Sequence, residues 1–359
     1  MSELMKKLRK NSTIKMSEVL SESKFFTEIN EVSTMVPAIN VLLSGSLTGG
    51  LKRGLTIIAG PSRHFKSLFA LIMAEAYLKK HKDAVCLFYD SEFGTPTSYF
   101  ESVGIDPSRV IHCPITDLEQ LKFDVMQQMN EINRGDKIVI LIDSIGNLAS
   151  KKEVEDALDG KSVADMTRAK QMKSLFRMVT PHLTIKDIPM IAINHTYQTQ
   201  EIYSKAVVSG GTGPMYSADN VWIVGRSQEK DGIELLGYNF NVNIEKSRYV
   251  REKTKIAVTV KFDGGLSKWS GLLEMAQESG HVIKPSNGWY SRVDSSTGEI
   301  EDKKWRGKDT DSSTFWMPVL KDKTFNTWIE NTYKVTTAAL VVEETTSEPI
   351  ADDEDGYLG

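Results

Sequence analysis

Two cysteines in a chain of 359 residues are too few for a disulfide framework. Cys86 lies inside the apolar run Val85-Cys86-Leu87-Phe88 and Cys113 just after another, so neither suggests a metal cluster, and zinc chemistry is not expected. No uninterrupted apolar run approaches the roughly 18 residues of a membrane span. The N-terminal Met-Ser-Glu-Leu-Met-Lys-Lys-Leu-Arg-Lys lacks the apolar core of a secretory leader. A cytoplasmic protein with no membrane partner is expected. Positive charge is also not in excess: the net charge is −4, which on its face argues against nucleic acid. No internal repeat is visible.

What is present is a core-forming composition, 40% hydrophobic with 26% charged, enough for one large domain with smaller attachments. The most informative stretch is Leu55-Thr56-Ile57-Ile58-Ala59-Gly60-Pro61-Ser62-Arg63-His64-Phe65-Lys66-Ser67. An apolar strand runs into a phosphate-binding loop and then a helix, whose apolar stripe is Phe69, Ile72, Met73, Ala76 and Tyr77. Phosphates need backbone N–H donors, a helix N-terminus and a cation, and Gly60 to Ser67 with Lys66 supplies all three. The usual pattern has glycine just before the lysine; here it is Phe65, which places a Cβ where backbone ordinarily approaches phosphate. Further on, Lys137-Ile138-Val139-Ile140-Leu141-Ile142-Asp143-Ser144 reads as a buried parallel strand ending in a carboxylate. Together these predict a nucleotide di- or triphosphate with Mg²⁺, Ser67 as a direct ligand and Asp143 holding a water of the ion's shell.

The strand Cys86-Leu87-Phe88-Tyr89-Asp90-Ser91-Glu92 ends in two carboxylates, and ligands of open parallel sheets bind at carboxyl ends of strands. Glu92 could orient an attacking water, and Tyr99 could stack on a base. Strands at Leu55 to Ala59, Val85 to Tyr89, Val110 to His112, Ile138 to Asp143 and Met190 to Ile193 alternate with helices such as Leu118 to Asn133 and Met166 to Val179. That is an α/β layout with a mostly parallel sheet. Asn220 to Val224, Tyr238 to Glu245 and Thr254 to Phe262 read as antiparallel additions.

Four sections follow: residues 1–30, an arm with a short basic helix and Phe25-Phe26; 31–268, the α/β core; 269–334, an aromatic-rich module; and 335–359, an acidic tail. The tail holds seven carboxylates and no Lys or Arg, so the rest of the chain carries +3. It reads as a disordered solubiliser or as a tethered polyanion competing with DNA for basic loops. Seven basic residues lie between Asn241 and Lys268, and a second cluster is Lys303, Lys304, Arg306 and Lys308.

The order of Gly60 to Ser67, Tyr89-Asp90-Ser91-Glu92 with Tyr99, Leu141-Ile142-Asp143-Ser144, Ala192-Ile193-Asn194-His195 and Gly210-Gly211 resembles the RecA recombinase family, most closely a phage branch of it. The resemblance implies a RecA-like P-loop ATPase core with a mostly parallel central sheet, an N-terminal oligomerisation arm and a small C-terminal α+β module. It implies that Glu92 positions the hydrolytic water, that Tyr99 stacks on adenine, and that His195, where most members have glutamine, senses the γ-phosphate. Lys246 and Arg248, in Glu245-Lys246-Ser247-Arg248, would reach a neighbour's ATP.

Two segments resemble the family's DNA loops, about Lys152 to Met166, leading into Arg168, Lys170 and Lys173, and about Tyr197 to Gly213, with Tyr203, Lys205, Gly210 and Gly211. Neither has apolar periodicity, and cations with polar N–H groups suit a sugar–phosphate backbone. The implied activity is ATP-dependent DNA strand exchange by a helical filament on single-stranded DNA, pairing it with a homologous duplex. Its partners would be copies of itself, a mediator and a single-strand-binding protein, and its place the cytoplasm of an infected host if phage-encoded. The alternatives are a hexameric helicase on the same core and a scaffold that binds nucleotide only for folding.

Overall fold

Strand β1 (Gly54–Ala59) is buried at every position, as a central strand covered on both faces must be. The computed structural model describes residues 1–14, 16–23, 25, 30–160, 167–199 and 206–335; Phe26, Tyr203, Lys205 and nearly all of the acidic tail lie outside them. β2 (Val85–Asp90), β3 (Val110–Pro114), β4 (Ile138–Asp143) and β5 (Pro189–Asn194) follow, with a short hairpin, β6 (Thr196–Gln198) and β7 (Ala206–Val208). Then come β8 (Asn220–Asp231), β9 (Glu234–Ser247), β10 (Lys255–Lys261) and β11 (Gly265–Leu266). The main sheet has the order β11-β10-β9-β8-β1-β5-β4-β2-β3. From β8 to β3 it is parallel, and β9 to β11 extend it antiparallel.

Two apolar layers cover the sheet. On one face Leu55, Ile57, Ile140 and Ile142 pack with Leu121 and Val125 of the helix Leu118–Glu131 and Phe176 of the helix Thr167–Lys186. On the other, Ile58, Leu141 and Trp222 meet the helices Pro37–Ser44 and Lys66–Lys80. The second of these is buried nearly all round, from Leu68 through Leu78, rather than along one stripe. Its outer side is covered as well, so amphipathic periodicity has no solvent to face.

The antiparallel additions are longer than their apolar runs suggested. β8 and β9 form one hairpin closed by Gly232-Ile233, with Gly232 at φ 60, a left-handed value that two-residue turns demand. The aromatic-rich module is α+β: β12 (Val282–Ser286), β13 (Trp289–Arg292) and β14 (Trp305–Arg306) beside the helices Leu272–Glu278, Ser313–Lys321 and Lys323–Tyr333. Trp305, Phe315 and Trp316 are buried in a cluster continuous with the main sheet's, so the module shares its core with the α/β body. At the other end, the helix Glu3–Asn11 has no buried residue and exposes Leu4, Met5 and Leu8. No described helix is long and apolar enough to cross a membrane.

Candidate nucleotide site and DNA loops

Parallel register brings the carboxyl ends of four strands together. Asp90 of β2 pairs with Asp143 of β4, and Ala59 of β1 with Asn194 of β5. The loop Gly60 to Ser67 leaves from this edge. A Cβ on Gly60 would lie 2.7 Å from the Val224 carbonyl oxygen, which explains glycine there. Lys66 is buried and donates from Nζ to the Pro61 carbonyl at 2.8 Å. Burial lowers its pKa, opposed by Glu92 and Asp143. Of the expected adenine contact, Tyr99 lies half-buried in the helix Thr97–Ser102, and burial raises its phenol pKa.

Ser67 Oγ donates to Asp143 Oδ2 at 2.6 Å, and Thr95 Oγ1 to the same oxygen at 3.5 Å. Burial pushes the Asp143 carboxyl up to about 6 against the Ser67 hydrogen bond, and the charges of Glu92 and Asp90 add to the rise. A buried carboxylate among other carboxylates, beside a serine hydroxyl and a lysine, fits a divalent cation that would relieve the crowding.

The sign of the pH effect follows. Between its ordinary value of 3.8 and about 6 the folded chain holds the Asp143 proton and the unfolded chain does not, so this group's stabilisation falls as pH rises through that window. If Asp143 takes part in holding Mg²⁺, the ion would have to displace that proton below about pH 6. The Mg²⁺-dependent part of nucleotide affinity is expected to fall by up to about tenfold per pH unit in the wild type and to lose this dependence in Asp143→Asn. Titrating a fluorescent nucleotide with and without Mg²⁺ from pH 5 to 8 tests it; identical profiles would assign the dependence to the nucleotide's phosphates.

The two carboxylates ending β2 separate in role. Asp90 is buried and accepts from the N–H groups of Glu92 and Phe93 at 3.0 and 2.8 Å, and His112 Nε2 lies 3.2 Å from its other oxygen. It shapes the turn. Glu92 gathers three donors on one oxygen, Oε1: Ser144 Oγ at 2.6 Å, Asn147 Nδ2 at 3.0 Å and His195 Nε2 at 3.1 Å. The His195 hydrogen bond, then that of Ser144, holds its pKa below the ordinary glutamate value against partial burial. Glu92 is therefore ionised, and among the described residues Oε2 has no hydrogen-bond partner.

His195 fits because residue 146 is glycine: a Cβ there would lie 2.3 Å from the His195 ring. Ser144 stood in the Leu141 to Ser144 motif without a role, and Gly146 and Asn147 were missed from the sequence, although they lie within four residues of Asp143 at a strand end, where side chains meet ligands. From β5 the contacts run on. His195 O accepts from Ser209 N at 2.9 Å, and Asn194 Nδ2 donates to Ser209 O at 2.8 Å, tying the far end of the second loop to the end of β5 and to His195 just beyond it.

The loops differ from the expected irregular segments. Lys151–Leu158 is a helix, begun by a capping box in which Ser150 and Glu153 exchange side-chain and backbone hydrogen bonds. The second loop is closed by β6 and β7, with Gly210 and Gly211 at φ 92 and 74 leading into the helix Thr212–Ser217. Arg168, expected to contact DNA phosphate, instead donates to the carbonyls of Leu148, Ile145 and Gly146 at 2.8, 3.2 and 2.6 Å. Guanidinium is five donors in a planar fork, and here it braces the turn that presents Asn147. Lys170 is exposed at the start of the same helix.

Lys246 and Arg248 lie elsewhere. Lys246 Nζ donates to the Met215 and Tyr216 carbonyls at 2.8 and 3.0 Å, and burial lowers its pKa. Arg248 Nε sits 2.5 Å from Asp219 Oδ1, whose partner oxygen accepts from Leu55 N. These contacts are level with the amino end of β1, whereas the phosphate loop leaves its carboxyl end. Six extended residues, roughly 20 Å, separate them within one chain. Arg248 also helps line a groove of about 460 Å³ with Lys173, Arg177, Tyr216 and Asp219.

A phosphate loop on β1, a carboxylate ending β4 and a buttressed glutamate after β2, on a parallel sheet with an antiparallel extension, define a P-loop ATPase with a RecA-like core. The chain belongs to the RecA family: the family model for the RecA N-terminal domain matches residues 1–267. Residues 269–329 match the C-terminal domain of the bacteriophage T4 recombination and repair protein. The recombination and repair protein of Enterobacteria phage T4 is 56% identical over 339 residues, 93% of this chain and 87% of that protein. Protein RecA of Bacteroides thetaiotaomicron is 25% identical over 84% of this chain and 88% of its own length, and Protein RecA of Symbiobacterium thermophilum 23% over 84% of each.

Proposed function

We propose that the chain is an ATP-dependent DNA strand-exchange recombinase that coats single-stranded DNA as a helical filament and pairs it with a homologous duplex. The observation that carries this reading is the run of contacts from Glu92 to His195 and on to Ser209. It joins the group beside the phosphates to the loop that would hold DNA, which an ATPase without a polymer partner has no need of. Residues 1–30 serve as the polymerisation arm, since a helix with three exposed apolar side chains and no core of its own needs a neighbour. A recombination mediator and a single-strand-binding protein are further partners.

In this reading Lys66 and the N–H groups from Pro61 to Ser67, Pro61 itself excepted, hold the phosphates. Ser67 and Asp143 would hold Mg²⁺, which when bound neutralises charge on the phosphate oxygens. Ionised Glu92 accepts from the attacking water on Oε2 while Ser144, Asn147 and His195 fix Oε1. Because Glu92 is ionised, His195 Nε2 carries the proton of their hydrogen bond. Loss of the γ-phosphate then changes what His195 faces, and the Ser209 tie passes the change to the second loop.

Lys66→Ala is expected to abolish nucleotide-dependent DNA binding, and the wild type to hydrolyse ATP much faster with single-stranded DNA than without it. Steady-state ATPase assays and electron micrographs with a non-hydrolysable ATP analogue test both. Closed rings, in place of open filaments, would favour the helicase. ATP hydrolysis indifferent to DNA would end the recombinase reading.

A further inference from the structure

The side chain of one phosphate-loop residue has no part in the chemistry above. Phe65 stands immediately before Lys66 as the N-cap of its helix, in a left-handed backbone of φ 52 and ψ 27. That conformation is unfavourable for a residue with a Cβ and free for glycine. Arg63, two residues earlier, is left-handed too, at φ 60. A short turn holding two such residues persists only where the surroundings over-determine it.

The surroundings are the β8–β9 hairpin. The Phe65 ring lies 5.0 Å from that of Phe240 on β9, tilted by 47°. Phe240 is fully buried, and the edges of His64 and Phe69 also meet it, at 6.5 and 6.4 Å. Arg226, paired with Phe240 in the hairpin register, donates from Nη1 to the Arg63 carbonyl at 3.4 Å and lies over the Tyr238 ring at 4.5 Å. Both left-handed residues are thus fastened to adjacent positions of one hairpin, Phe65 by its ring and Arg63 by its carbonyl. Phe65 itself remains 39% exposed, so its ring adds little to the core.

We propose that Phe65 is a positioning residue for nucleotide binding, acting through Phe240. Its ring pins the loop to β9 in the turn that presents Lys66 and the backbone N–H groups. The inference rests on the assignment of Gly60 to Ser67 as the nucleotide loop.

Fluorescent-ADP titration, steady-state ATPase on single-stranded DNA and thermal melts of F65A, F65G, F65L, F240L and F65A/F240L test it. F65A and F65G are each expected to raise the nucleotide Kd roughly five- to tenfold, the scale of a lost aromatic pair. KM should rise more than kcat falls, with Tm shifting little, and F65L should recover most of the affinity. F240L should also raise Kd, and the double variant should be no worse than the worse single one, because both changes break one contact. F65G binding as tightly as wild type would overturn the proposal, as would additive effects of the two positions. Failure of the wild type to bind nucleotide would instead remove the loop assignment beneath it.

Discussion

Glu92→Gln is expected to keep nucleotide binding while cutting DNA-stimulated ATP turnover by about a hundredfold or more, the scale of a lost acid–base group. The amide retains the shape and can still accept on one oxygen. It loses the charge that Ser144, Asn147 and His195 are arranged to hold and presents N–H where the ionised group presented an acceptor. Binding survives because Lys66, Ser67 and Asp143 form a separate set of contacts, linked to Glu92 by charge rather than hydrogen bonds. Turnover and nucleotide Kd, measured on one preparation, decide the matter. Near-normal hydrolysis by Glu92→Gln on single-stranded DNA would remove Glu92 from catalysis.

The second large effect belongs to Lys246 and Arg248. Lys246→Ala/Arg248→Ala is expected to hydrolyse ATP poorly, yet to regain activity when mixed with Glu92→Gln. Mixed interfaces would then pair an intact Glu92 with an intact neighbouring Lys246 and Arg248, restoring a cation on the transferring phosphate. The in-chain contacts do not oppose this strongly. Arg248 is 65% exposed in its pair with Asp219, and exposed pairs are worth about 0–1 kcal/mol. Lys246 is held by two carbonyls, so its release asks more. DNA-stimulated ATPase in the mixture that never exceeds the sum of the separate variants, with mixed filaments verified, would mean the site is complete in one chain.

Much of this was legible in the sequence, for reasons that differ by element. The strand–loop–helix turn from Leu55 to Ser67 and the strand to Asp143 are local signals, an apolar run feeding a fixed spacing, and both elements formed where expected. β8 and β9 ran longer than their apolar cores because hairpin pairing carries polar residues such as Gln228 and Glu229 into the ladder. The helix Lys151–Leu158 was hidden by its weak apolar pattern, although its capping box stood in the sequence as Ser150 and Glu153. Arg168 could not have been read at all. A cation beside a DNA loop looks the same whether it faces phosphate or three carbonyls, and only the fold around Asp143 decides. Gly146 is similar: its smallness answers to His195, nearly fifty positions away, and no local rule reports such a pairing.

β1 carries the phosphate loop at one end and stands level with Lys246 and Arg248 at the other, so on the proposed reading each chain contributes two unlike halves of different sites. Counting follows from that polarity. An open filament always has one fewer complete site than it has chains, because one terminus presents a loop with no donor and the other presents donors with no loop. A lone chain has none. Nucleation is then silent, activity per chain climbs with length, and the two termini are chemically distinct, one able to retain nucleotide without discharging it. Growth and loss at the two ends need not be equal, and the assembly acquires a direction from a strand six residues long.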